Sequence, residues 1–125
     1  MKDFRKLKVW REAHVLTLAV YEATAAFPRE EAYGLTSQIR RACASIPANI
    51  AEGCGRDGET EFGRFLYIAQ GSASELDYHL LLAHDLRMLE SDTYHTISAQ
   101  VDQVRRRLTG LIKSVRSGER RATSD

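Results

Sequence analysis

The sequence predicts an all-α protein, an antiparallel up-down-up-down four-helix bundle. Apolar residues recur at three- and four-residue spacing in four successive segments. No segment alternates with the two-residue period of a strand. The connections between segments are short, which makes consecutive helices antiparallel neighbours. The 125 residues are 43% hydrophobic and 28% charged, with two Pro and eight Gly. That composition fits one domain with a core of its own and excludes disordered or collagen-like chains.

The first helix carries Val9, Ala13, Leu16, Val20, Ala23 and Phe27 on one stripe, and Pro28 ends it. The second, from about Leu35 to Gly53, aligns Leu35, Ile39, Ala42, Ile46, Ile50 and Gly53; Pro47 inside it predicts a kink and not a break, because the stripe keeps its phase. The third follows the stop signal Gly53-Cys54-Gly55-Arg56-Asp57-Gly58, with Asp57 or Thr60 as its expected N-cap. It carries Phe62, Leu66, Ala69, Ala73, Leu76, Leu80 and Ala83, and a second stripe of Phe65, Ile68, Leu82, Leu86 and Leu89, so burial on more than one side is expected. Gly71-Ser72-Ala73-Ser74 in its middle suggests close approach of another helix, from this chain or another subunit. The fourth, capped by Ser91 or Asp92, has a seam of Tyr94, Ile97, Val101, Val104, Leu108, Leu111 and Val115. The bundle is thus expected over 1–116, with a polar, frayed tail over 117–125.

Cys43 and Cys54 fall eleven residues apart on one helix, about 16 Å of rise, too far for a disulfide. Reduced thiols, no apolar run near the ~20 residues of a membrane span, and no signal-peptide core together point to a cytoplasmic protein without membrane contact. No catalytic constellation emerges. Gly53–Gly58 spells GxGxxG but follows a helix, where the dinucleotide fingerprint needs a strand. None of His14, His79, His84 and His95 has Glu three residues before it, as a di-iron bundle requires, so no metal and no cofactor is expected.

The formal net charge of +1 conceals an asymmetry. Lys2, Arg5, Lys6, Lys8 and Arg11 against Asp3 make residues 1–11 +4; residues 105–125, rich in Arg, are +5; the stretch between is −8. In an up-down-up-down bundle both termini and the second loop share one pole, which gathers these cations, while Glu30, Glu31, Asp85, Glu90 and Asp92 mark the other. A basic pole attracts phosphates. The candidate contacts are Arg40, Arg41, Arg56, Arg64, Arg105, Arg106, Arg107 and Lys113, with Arg40 and Arg41 open to intersubunit ion pairs instead. Arg105-Arg106-Arg107 spans most of a turn, so the three cannot converge on one ligand. Trp10, Tyr21, Asn49, Phe65, Gly71, Ser72 and Glu75 are the candidate oligomer contacts, Asn49 through the register role of a buried Asn.

The run Ser45-Ile46-Pro47-Ala48-Asn49-Ile50-Ala51-Glu52-Gly53-Cys54-Gly55-Arg56 resembles the signature of the four-helix-bundle proteins of the 23S rRNA intervening-sequence family. Leu7-x-Val9-Trp10-x-x-Ala13, Phe27-Pro28 through Tyr33-Gly34-Leu35 to Gln38-Ile39-Arg40-Arg41-Ala42, and Phe65-Leu66-x-Ile68-Ala69-x-Gly71-Ser72-x-x-Glu75-Leu76 agree in order. The resemblance implies an antiparallel bundle assembling into a ring, a homopentamer. The family is similar to the accessory protein of diversity-generating retroelements, a basic pentameric bundle that binds nucleic acid and works with a reverse transcriptase. The expectation is therefore a non-enzymatic homo-oligomer that binds RNA or DNA through a basic surface. The alternative is a scaffold that recruits a partner enzyme such as a reverse transcriptase without touching nucleic acid.

Overall fold

Four helices carry the stripes: α1 (Lys8–Thr24), α2 (Leu35–Gly55), α3 (Glu59–Asp85) and α4 (Ser91–Ser124). The computed structural model describes residues 2–124, with side chains for residues 2–118. Among the described residues α1 packs on α2 and α4, and α3 packs on α2 and α4; the backbones of the diagonal pairs stay apart. That is the neighbour order of an up-down-up-down bundle. Its centre is apolar, with Leu16, Ile39, Ile46, Ile50, Leu66, Leu76, Leu80 and Leu108 fully buried. Each such side chain stabilises the fold by roughly 1.5–3 kcal/mol through removal from water.

The joins differ from the sequence expectation in instructive places. α1 ends at Thr24, three residues before Phe27, which stays buried beyond the helix end. α2 begins without a side-chain cap on Gly34; Glu31 supplies the acceptor, taking the Leu35 N–H at 3.1 Å. The helix then runs unbroken through Pro47 to Gly55, although proline withholds a donor from the Cys43 carbonyl. Neither Asp57 nor Thr60 caps α3. The N-cap is Gly58, whose φ of +86° only glycine adopts without strain.

Within the chain, the glycine that lets two helices meet is Gly53. A Cβ on Gly53 would lie 2.9 Å from Phe65 Cβ, so α2 and α3 cross in near contact here; a Cβ on Gly71 would meet nothing within 4 Å. The second stripe of α3 is only partly covered. Phe65 and Leu89 are buried, whereas Ile68 and Leu86 stay exposed. The α3–α4 turn closes with Met88 donating to the Ala83 carbonyl and Arg87 to the His84 carbonyl, both at 2.9 Å, around Arg87 at φ 64°. His84 pins it further: its ring bridges Asp85 and Ser91 at 3.1 Å each and stacks on Tyr94. The apolar seam of α4 ends at Val115, and its helical backbone continues to Ser124.

Lys2 donates its backbone N–H to the Cys54 carbonyl at 3.0 Å and its ammonium to Glu59 at 2.6 Å. The N-terminal segment and the α2–α3 turn therefore share one end of the bundle, and antiparallel α4 brings its C-terminal half to the same end.

Candidate nucleic-acid interface

The eight cations singled out from the sequence do not form one patch. Arg40 and Arg41 sit near the start of α2, at the end opposite both termini. Arg40 is occupied within the chain: Nε donates to Thr24 Oγ1 at 2.9 Å, Nη2 donates to the Tyr21 carbonyl at 3.2 Å, and the guanidinium lies 4.6 Å over the Tyr21 ring. Together with the Thr24 hydroxyl at 3.3 Å, it supplies donors to the Tyr21 carbonyl in the last turn of α1. Arg41 is exposed and has no partner among the described residues.

Arg56 and Arg64 lie at the basic end and cover one aromatic ring. Arg56 pairs with Glu52 at 2.8 Å and Arg64 grips both oxygens of Glu61 at 2.8 and 3.2 Å. Their guanidinium carbons stand 5.3 and 4.5 Å from the centre of Phe65. The hydrogen bond from Arg64 holds the Glu61 carboxyl below the usual carboxylate range, and the same bond raises Arg64. Phe65, 8% exposed, is thus buried beneath its own chain's arginines.

The arginine triplet of α4 splits three ways, as residues about 100° apart on a helix must. Arg105 turns to α3 and pairs with Asp77 at 3.1 Å; Arg107 turns to α1 and pairs with Glu12. Arg106 faces outward without a partner among the described residues. Lys113, seven residues or about two turns further, is also exposed and unpaired. Arg106 lines a furrow of about 550 Å³ between α1 and α4, with Lys8 and Arg107 on its walls and Leu7 and Leu111 among its apolar lining. Lys6 and Lys8, which the sequence reading counted in the basic N-terminus but did not single out, join the unpaired set. Their signal was the density of cations before the first apolar stripe.

Of the candidate oligomer contacts, Asn49 and Ser72 are tied within the chain. Asn49 Nδ2 donates to the Ser45 carbonyl and hydroxyl at 2.8 and 2.9 Å, and Ser45 shares a 2.8 Å hydrogen bond with Ser72, joining α2 to α3. Trp10 is half-buried between Phe4 and His14, stacked on the latter at 5.0 Å. Tyr21, Gly71 and Glu75 face solvent, Glu75 with one oxygen 4.0 Å from His79 Nδ1. Cys43 and Cys54 are buried and free. Burial raises the Cys43 thiol to about 11 against the lowering effect of its bond to Thr17, and burial also raises Cys54. Both thiols stay protonated at neutral pH, which makes them poor nucleophiles. Among the described residues no group of three His, Cys, Asp or Glu is placed to hold a metal ion, and no helix is long and apolar enough to cross a membrane.

A model of the family described as 23S rRNA-intervening sequence protein matches residues 5–110, which takes in α1, α2, α3 and the first twenty residues of α4. The chain belongs to that family. A crystal structure of a protein of unknown function from the S23 ribosomal protein family of Bacteroides thetaiotaomicron superposes with a TM-score of 0.78 at 24% identity, covering 84% of this chain and 95% of that one. At that identity the likeness speaks to the fold alone. No curated protein matches the chain.

Proposed function

We propose that this member of the 23S rRNA-intervening sequence family is a non-enzymatic homo-oligomer, a pentameric ring by family resemblance, that binds RNA or DNA through phosphate contacts at its basic end. The observation that carries the reading is the exposed, unpaired set Lys6, Lys8, Arg106 and Lys113, of which Lys8 and Arg106 line the α1–α4 furrow. An ammonium or guanidinium with no carboxylate partner can neutralise a phosphate and release its counterion without first breaking an ion pair. The furrow's lining includes no aromatic ring on which a base could stack. The expected mode is therefore contact with the backbone, indifferent to sequence. Cyclic symmetry would set every copy's basic end on one face, so weak single sites would gain avidity.

The test is a comparison of two variants by electrophoretic mobility shift on a structured RNA and a duplex DNA. Lys8→Ala/Arg106→Ala/Lys113→Ala should lose binding by at least tenfold, and Arg56→Ala/Arg64→Ala, which removes cations already paired, should change it much less. Equal losses in both, or none in the first, would remove the furrow from the site.

A second reading has its own support: Arg56, Arg64, Arg105 and Arg107 are matched by Glu52, Glu61, Asp77 and Glu12. A bundle that neutralises its cations internally suits a scaffold that recruits a partner enzyme, such as the reverse transcriptase of the similar retroelement accessory protein. Binding to neither nucleic acid at low salt would favour it.

A further inference from the structure

Two outer faces of the bundle are complementary in shape, yet no copy can bring its own two together. On α1, the large side chains of Val15, Leu18 and Tyr21 are 55%, 58% and 42% exposed, Tyr21 with Arg40 of its own chain over one face of its ring. Between α2 and α3 runs a groove of about 700 Å³ with small residues at its base, Ala44, Ser45, Ala48 and Ser72. A ridge of bulky side chains packs into a trough of small ones. We infer that the α1 face of one copy docks in the α2–α3 groove of a second copy, with the two copies pointing the same way; this rests on the homo-oligomer reading above.

Charge sets the register. Arg11 and Glu22 bracket the apolar ridge of α1, eleven residues apart; Arg41 and Glu52 bracket the groove on α2, also eleven residues apart and in the same order of sign along the chain, which the antiparallel run of α2 reverses in space. Each pair therefore spans about 16 Å of helix. Cys43 touches Thr17 in the antiparallel α1–α2 pair. Counting from that contact, Glu22 lies level with Gln38 and Arg11 level with Asn49. Arg41 and Glu52 each stand three residues further along α2. A single shift of about 4.5 Å along the bundle axis thus brings Glu22 against the partner's Arg41 and Arg11 against the partner's Glu52 together. Among the described residues neither Glu22 nor Arg41 has an ion-pair partner within its own chain. Glu52 bonds Arg56 through Oε1, which leaves Oε2 open. Because the two docking faces differ, the contact is heterologous, where a two-fold dimer would need like faces to meet; it closes into a ring when the bundles lean against the ring axis, so that the axial shift does not accumulate from copy to copy.

The experiment is sedimentation velocity of the full chain as wild type, Glu22→Arg, Arg41→Glu and the double reversal, with circular dichroism confirming that each remains helical. Each single reversal places like charges together and should weaken assembly at least tenfold. The double reversal restores opposite signs and should return to within about threefold of wild type. Single reversals that assemble like wild type, or a double that fails to recover, would overturn the register while leaving the homo-oligomer reading in place. A wild-type chain still monomeric at about 100 µM would bring down that reading and this inference with it.

Discussion

Gly53 and Gly71 read alike in the sequence, each a glycine inside an apolar helical segment, and the fold separates them. A Cβ on Gly53 would lie 2.9 Å from Phe65, closer than real Cβ atoms come, and 3.2 Å from Phe62, whereas Gly71 faces open space. Gly53→Ala should cost about 1–3 kcal/mol through overpacking, because the neighbouring atom is a Cβ on a rigid helix. Gly71→Ala should gain about 1 kcal/mol from helix propensity; urea titration of both variants measures the pair. Cys43 gives a second residue-scale prediction. A thiol whose folded pKa is raised stabilises the fold fully below its unfolded value, 9.0, and loses that contribution as pH rises toward about 11. Between those limits wild type should lose about 2 kcal/mol more stability than Cys43→Ala, read from urea midpoints across the window. Equal losses would show that the thiol is not held in its neutral form. That a thiol sits on the second helix was legible in the sequence; that Thr17 of another helix reaches it was not.

At the scale of the element, the apolar stripes made the four helices and their order legible, since spacing on one helix is a local property. What lay outside that reading was pairing between helices. Arg105, Arg106 and Arg107 are equivalent as letters, and only the positions of Asp77 on α3 and Glu12 on α1 decide that the outer two serve as struts and the middle one is free. Helix ends were also hard to place. Glu31 stands in for the missing cap of α2, and Gly58 displaces Asp57 and Thr60 at the start of α3. The strut reading predicts a split. Arg107→Ala strands Glu12, whose side chain is 25% exposed, and should cost about 1–2 kcal/mol of stability with little change in nucleic-acid affinity. Arg106→Ala should leave thermal unfolding unchanged and weaken binding. Identical behaviour of the two in calorimetry and in binding would remove the distinction on which the candidate site rests.

At the scale of the whole molecule, the bundle is electrically polar along its axis, with the N-terminal cations, Arg106 and Lys113 at one end and Glu30, Glu31, Glu90 and Asp92 at the other. A net charge of +1 conceals this because charge sums ignore position. In the proposed ring of like-pointing copies the polarity would become a basic face, and the strength of binding would depend on the number of copies as well as on each furrow. The central claim is that this face holds nucleic acid through its unpaired cations. Fluorescence anisotropy of a labelled structured RNA, titrated with the wild-type chain across a salt series, tests it most directly. Log affinity should fall linearly with log[salt], with a slope that becomes shallower by about two for Arg106→Ala/Lys113→Ala if each protomer contacts the strand once. Affinity that ignores salt, or no binding at the lowest ionic strength, would contradict it.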